Sequence, residues 1–444
     1  MQPLQTNPTN TVKNLYDRLR ALGQPFWLLW AGETTSMFGT QLVQFALGVW
    51  IYERTNSVLN FAGSVVASIL PAILVMPVAA SVVDRVDKRY VMIIADAIAA
   101  VMTFMLLVLL WTDRLEVFHL YAFTAVASVV GAFQGPAYQA SVAQIVRKDL
   151  LTRATGAMGV SSTSLGIIAP ALAGTLLVTI GLRGMVVLDL VTFIVGTMFV
   201  WRAFSLARRP AIKEGGVWNA MRSSLSNFTE SMAFFERDPK MLTLLVYSLI
   251  QAAMIALAVT MVVPLILSLH SSASLGVVLS FGAAGALAGS LLMVVLDEPG
   301  RRMAVILCCD AVFAACILAA GMVTSVPAFC VLEFIAGAAG SVAASCGYAL
   351  WMSKVPEHQQ GSILVLLGTC AMLSTTAMVV FGGVAVDLVL EPALAAGGSL
   401  AGSIGAVLGT GKGRGMALMF VISGALGLIA ALGGLAVRPL RELR

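Results

Sequence analysis

The sequence predicts an all-α membrane protein of twelve transmembrane helices arranged as two pseudo-symmetric six-helix bundles. Three observations carry that prediction. With 59% hydrophobic and 11% charged residues and a mean hydropathy of +0.94, the chain has too little polar surface to enclose a water-soluble core of its length. Of the 27 lysines and arginines, all but Arg202 at the end of the sixth fall outside a set of twelve apolar stretches, and alternate-loop counting puts 22 on one side of a membrane and 5 on the other. The two halves of the chain also repeat weakly.

In chain order, residues 1–25 form a polar tail, expected in the cytosol. The apolar stretch that follows is much longer than a signal-peptide core and lacks a small-residue cleavage pattern, so it is expected to remain as the first helix. Crossing the hydrocarbon takes about 20 apolar residues as a helix. Such stretches run over roughly 26–52, 57–83, 90–111, 118–145, 155–180 and 184–203, a first bundle spanning 26–203. The second bundle, 241–437, has stretches at roughly 241–268, 272–296, 303–323, 326–352, 361–387 and 415–437, before a tail of 438–444. Between the bundles, 204–240 is a long basic connection in which Trp218, Met221, Leu225, Phe228 and Met232 recur at helical spacing, as in a helix lying on the inner membrane surface.

The five basic residues on the outer side are Arg54, Arg114, Arg183, Lys412 and Arg414. Both termini are therefore expected in the cytosol of a plasma membrane, with a bacterial inner membrane the expected location. The net charge of +5 reflects membrane topology and implies no nucleic-acid partner. Six cysteines, Cys308, Cys309, Cys316, Cys330, Cys346 and Cys370, lie within stretches 9 to 11 and read as small apolar residues. They suggest neither a disulfide framework nor a metal site.

The repeat is clearest at two turns. Asp84-Arg-Val-Asp-Lys-Arg89 follows stretch 2 and precedes Asp96; Asp297-Glu-Pro-Gly-Arg-Arg302 follows stretch 8 and precedes Asp310. A 6+6 repeat of this kind implies two similar bundles with a pathway between them. The first turn resembles the signature loop of the major facilitator superfamily: Asp84, Arg85, Lys88 and Arg89 match, while Ala80 stands where the family has glycine. Gly166, Pro170 and Gly174 in stretch 5 resemble the glycine-proline motif of its antiporters, with Ala169 and Ala173 at two expected glycine positions. Phe133-Gln-Gly-Pro-Ala137 and the glycine-rich stretch before Gly413 extend the likeness over nearly the whole chain. It is similar to the third drug:proton antiporter branch, which includes macrolide efflux proteins and the enterobactin exporter. The resemblance implies the major facilitator fold, no cofactor and a monomer.

Apart from Arg202 at the end of the sixth, the charged residues inside the stretches are all acids: Glu33, Asp96, Asp189, Asp310 and Glu333, with Asp387 at the end of the eleventh. A carboxylate at membrane depth costs roughly 2.5–3.5 kcal/mol on insertion scales, so such a residue is a functional candidate by default. Its cheapest escape is to keep its proton, and a carboxyl that releases the proton when water or a cation arrives can couple proton movement to a conformational change. Glu33 is the leading candidate, because Met37, Gln41 and Gln44 continue a partly polar stripe from it. The plain alternative is a carboxyl hydrogen-bonded to a neighbouring helix for packing.

In the superfamily the first helix of each three-helix repeat lines the central cavity. The resemblance therefore places Gln134, Tyr138, Gln251 and Glu333 near a substrate. Glu333, beside Gly337 and Gly340, reads equally as a cap on an outer gate. Asp96 and Asp310 occupy matching places about two turns above the inner surface and are expected to be structural, as partners for the basic turns or for helix N-termini. Asp189 is expected to stabilise the bundle rather than carry a proton, although the resemblance puts the sixth helix at the edge of the fold, where a lipid-facing acid would have no other explanation.

The turn carrying Asp84, Arg85, Lys88 and Arg89 resembles the family's inner gate, where charge pairs form and break between bundles. Positive-inside anchoring alone would not require Asp84 directly before Arg85. Gly166, Pro170 and Gly174 let a helix bend and approach a neighbour, as small residues do in any membrane bundle. Gly285 and Gly289 form an ordinary GxxxG contact. The segment Gly409-Thr-Gly-Lys-Gly-Arg-Gly415 imitates a phosphate-binding loop, but Ala406 occupies the first glycine position and Gly413 follows Lys412 where Ser or Thr is required. No ATP is implied. Related drug exporters carry an arginine three residues before the glutamine matching Gln134; Gly131 stands there, so the proton relay tied to that arginine does not carry over.

The sequence thus predicts a secondary active exporter of an amphipathic or apolar small molecule in exchange for protons, with membrane lipid as its surroundings. Methionine, phenylalanine, glutamine and tyrosine around one or two acids suit bulky, largely apolar or cationic compounds better than sugars. The alternatives are a lipid or lysolipid flippase of the same fold, an importer, and a non-transporting membrane sensor or scaffold.

Overall fold

A computed structural model describes residues 21–206, 234–235, 238–295, 300–356 and 359–437. Twelve long helices dominate: α1 (Gln24–Thr55), α2 (Val58–Arg85), α3 (Lys88–Trp111), α4 (Val117–Ile145), α5 (Leu151–Thr179) and α6 (Gly181–Leu206), then α7 (Pro239–Leu269), α8 (Ser272–Val295), α9 (Arg302–Ala320), α10 (Val326–Lys354), α11 (Gln360–Ala385) and α12 (Arg414–Ala436). Among the described residues, 11 helical spans are long and apolar enough to cross a membrane. The twelfth, α1, has the length but carries Glu33, Gln41 and Gln44 among its apolar residues. The chain is a multi-pass membrane protein. Residues 1–20 of the polar N-terminal tail and the amphipathic segment of the 204–240 connection lie outside the described residues.

Without water in the hydrocarbon, each backbone N–H and C=O is satisfied within its own helix, and the ends need caps. Several are visible in the sequence. Ser57 accepts from the Asn60 N–H at 3.0 Å at the start of α2, and Asp87 accepts from the Arg89 N–H at 3.0 Å at the start of α3. Asp238 accepts from the Lys240 N–H at 2.9 Å at the start of α7. Asn56 takes the left-handed conformation (φ 50°) that ends α1 and allows a two-residue turn into α2.

Helix packing repeats with a shift of six helices. In the first half α1 packs on α6 and α5, α2 on α4, and α3 on α4 and α6; in the second, α7 packs on α12 and α11, α8 on α10, and α9 on α10 and α12. The pairs that join the halves, α2 with α11 and α5 with α8, obey the same relation. This is the predicted pair of pseudo-symmetric bundles. Glycines bring α8 and α10 together: a Cβ at Gly285 or Gly289 would strike the backbone carbonyl of Phe334 or Ala338, the GxxxG contact read from the sequence.

The two ends of the molecule differ. At the end of the α1–α2 turn, one apolar core crosses both bundles, joining Val49 and Tyr52 of α1 to Leu257, Met261 and Leu265 of α7 and to Val386. At the opposite, basic end the cores are separate: Phe26, Val83 and Val142 belong to a first-half cluster, Met241, Leu350 and Ile363 to a second-half one. Consistent with this, a Cβ at Gly156 or Gly159 of α5, or at Gly368 of α11, would meet open space. The bundles therefore meet at one end and part at the other.

Helix α11 runs further than the apolar stretch suggests. It passes through a π-helical turn, Val386–Leu390, into Glu391–Leu394, and π turns of this kind concentrate at functional positions.

Candidate functional site

A cavity of about 570 Å³ opens within the first bundle. Its wall is built by α1, α3, α4, α5 and α6, and along α4 it extends from Phe123 to Gln139, roughly 24 Å at 1.5 Å per residue. Glu33, Gln41, Gln44, Gln134 and Tyr138, all expected near a substrate, line it together with Met37, Met102 and Met158. The residues that line this cavity all belong to the first half, whereas a chamber between the bundles was expected.

Helix α1 supplies the polar stripe. Glu33, only 6% exposed, faces Gln134 of α4, whose Nε2 donates to Glu33 Oε2 at 3.5 Å and to Asp96 Oδ1 at 2.8 Å. Thr197 Oγ1 approaches Asp96 Oδ2 at 3.4 Å. One amide therefore bridges two carboxyls on different helices. Asp96 was expected to serve the basic turns; its hydrogen-bond partners are instead Gln134 and Thr197, because the side chain points across the bundle rather than along α3 toward Lys88. Beyond it, Asp96 lies on a second, apolar groove of about 430 Å³ between α3 and α6, with Ile194, Met198 and Trp201.

Asp310, the counterpart of Asp96 in the second half, is hydrogen-bonded to a side chain of α7. Tyr247 Oη donates to its Oδ2 at 2.6 Å, and Gln251 Nε2 donates to Tyr247 Oη at 2.8 Å. This network occupies Gln251, which is buried within the second bundle and lies off the cavity wall, contrary to the expectation for it. Glu333 is also off that wall. Its Oε2 sits against Gly282 of α8, in space that a Cβ there would fill, so it belongs to the α8–α10 contact.

Asp189, expected to stabilise the bundle from a helix that the resemblance puts at the edge of the fold, lines the cavity at 2% exposure. Thr103 Oγ1 donates to its Oδ2 at 3.1 Å, whereas Oδ1 is buried with no hydrogen-bond partner. The sequence signal was a threonine one turn on, Thr192, and a glycine on the facing helix: a Cβ at Gly39 would run into both Thr192 Oγ1 and Asp189 Oδ1.

At the basic end, Lys88 is buried and Arg89 Nε is buried without a hydrogen bond; the side chain of Asp84 lies outside the described residues. Arg85 closes α2 in the same turn. In α5, Gly166 faces open space, while Pro170 and Gly174 meet Gly276 and Ser272 of α8 backbone to backbone. The motif's close approach is therefore to the other bundle. The six cysteines are free, and no cluster of metal-ligating residues occurs among the described residues.

Two six-helix bundles related by pseudo-symmetry, closed at one end around a polar-lined cavity, define a secondary-transporter fold. The family model "Major Facilitator Superfamily" matches residues 29–297 and 243–390, and the chain belongs to that superfamily. It is 25% identical over 175 residues to macrolide efflux protein A of Streptococcus pyogenes, covering 39% of this chain and 43% of that protein. To the uncharacterized MFS-type transporter YfiS of Bacillus subtilis (strain 168) it is 22% identical over 216 residues, covering 48% and 50%. The chain thus spans half or less of these curated relatives' lengths. Among solved structures, the POT family transporter PepTSo superposes with a TM-score of 0.68 at 11% identity, covering 95% of this chain and 99% of that one. A bacterial homolog of the human lysosomal transporter Spinster, inward-facing and occupied, gives 0.66 at 15%, covering 92% and 95%. These structural likenesses show the fold.

Proposed function

We propose that the protein exports amphipathic or largely apolar small molecules across a plasma membrane, the inner membrane of a bacterium, in exchange for protons by alternating access. It works as a monomer with both termini in the cytosol. The observation that carries this reading is the cavity itself, which combines methionine and phenylalanine surface with Glu33, Gln41, Gln44 and Tyr138. Such a wall grips apolar bulk and offers few polar anchors, each of which must be matched. With the basic end in the cytosol, the parted bundle ends admit cargo from inside. The partial similarity to a macrolide efflux protein supports export over import.

Coupling is assigned to Glu33, Gln134 and Asp96. Two carboxyls sharing one amide donor hold a proton more readily than two anions, and arrival of a cationic or polar cargo group beside Glu33 favours its release. Arg89, with its buried and unpartnered Nε, belongs to the gate that pairs when the basic end closes.

The test is substrate-induced proton release from the purified protein, screened with lipophilic cations, macrolides and siderophores. Wild type releases protons with its substrate. Glu33→Gln, whose amide imitates a carboxyl that never loses its proton, binds the same compound silently. Normal gradient-driven export by Glu33→Gln would refute the assignment.

One observation favours a second reading, a lipid or lysolipid flippase. The groove between α3 and α6 has an apolar wall, with Met198 and Trp201 largely exposed and Asp96 at its base. Movement of labelled lysolipid in vesicles without any proton gradient distinguishes that activity from export.

A further inference from the structure

One carboxyl oxygen of Asp189, Oδ1, is buried and makes no hydrogen bond within the usual geometry among the described residues. Such groups are rare in native proteins and call for an unseen water, ion or catalytic role. Its surroundings are oxygen-rich: Thr103 Oγ1 donates to Oδ2 at 3.1 Å, Thr192 Oγ1 donates to the Asp189 carbonyl at 2.8 Å, and Thr40 stands within reach of the carboxyl. Thr192 Oγ1 and Asp189 Oδ1 both press on the same point of Gly39. Thr192 Oγ1 and Asp189 Oδ1 thus face a common small space beside Gly39.

We propose that Asp189, Thr40, Thr103 and Thr192 form a binding site for sodium ion, separate from the proton site at Glu33, Gln134 and Asp96. A hard monovalent cation takes carboxylate and hydroxyl oxygens as ligands. It also neutralises a charge that the cavity leaves without a basic partner, since no lysine, arginine or histidine lines that wall. The site spans α1, α3 and α6, so an ion there ties together three helices of one bundle whatever compound is exported.

The experiment is thermal unfolding of the purified full-length protein in detergent at constant ionic strength, in sodium, potassium or choline chloride. Sodium raises the midpoint over choline with a saturable concentration dependence. Asp189→Asn abolishes that rise, Thr103→Val and Thr192→Val each weaken the apparent sodium affinity at least tenfold, and Glu33→Gln leaves it intact. Equal midpoints in the three salts overturn the site, as does a sodium effect that survives Asp189→Asn or disappears in Glu33→Gln. Binding is read without transport, so an exporter insensitive to sodium sinks this site alone, and a sodium-stabilised protein that exports nothing sinks only the export reading.

Discussion

Asp387, in the π turn after α11, caps the N-terminus of α2 in the other bundle through Ser57. Its Oδ2 accepts from Ser57 Oγ at 2.6 Å and from the Leu59 N–H at 2.9 Å, and its Oδ1 from the Val58 N–H at 3.0 Å. A carboxylate at a helix N-terminus is favoured both by the free N–H groups and by the helix dipole. Hydrogen bonds to a charged group contribute about 1.5–3 kcal/mol each, enough for this one residue to bias the closed end. Asp387→Ala is expected to release it: spin labels at Arg114 and Ser399, on opposite bundles, move to longer distances. An unchanged distance distribution removes Asp387 from the closure.

Gln134→Leu keeps the bulk of the α4 side chain and removes the donor shared by Glu33 and Asp96. Losing a bond to an ionised group, about 1.5–3 kcal/mol, corresponds to tenfold or more in coupling. Substrate-induced proton release should fall by that factor while substrate affinity changes less. Equal losses in binding and release would make Gln134 a cargo contact.

Gly285→Leu forces a side chain into the Phe334 carbonyl across the α8–α10 seam. Overpacking of this sort costs about 1–3 kcal/mol or more, seen as a lower unfolding midpoint. Gly347→Ala, where a Cβ meets open space, serves as the neutral comparison.

Glu391→Ala addresses the loop that imitates a phosphate site. The Glu391 carboxylate accepts from the Gly413 N–H and, at 2.8 Å, from the Gly415 N–H, so the anion those amides hold is the chain's own. Trypsin added from the outer side is expected to cleave at Lys412 or Arg414 in the variant and to spare wild type. Equal protection in both would show that other contacts, such as Lys412 Nζ to Asn56 Oδ1 at 2.6 Å, suffice to hold the loop.

The spans were legible because crossing lipid imposes one long apolar run per helix, a signal independent of tertiary context. Glu33, Gln41, Gln44, Gln134 and Tyr138 were legible as cavity residues because polar groups in such runs are costly and turn inward. What the sequence hid was which helix each acid faces. Asp96 lies two turns from a basic end and reaches sideways to Gln134; Asp189 sits on a peripheral helix and turns its carboxyl inward over Gly39. Periodicity gives a residue's face on its own helix, not the neighbour that covers it, and Gln251 and Glu333 were misplaced for the same reason.

The one-sided cavity wall has an evolutionary and practical meaning. If a single half holds the cargo, recognition is inherited with residues 33–193, and the other half is free to diverge as long as it still docks on α2 and α5. Grafting that half onto the second half of another member of the superfamily would carry over the choice of compound together with Glu33, Gln134 and Asp96.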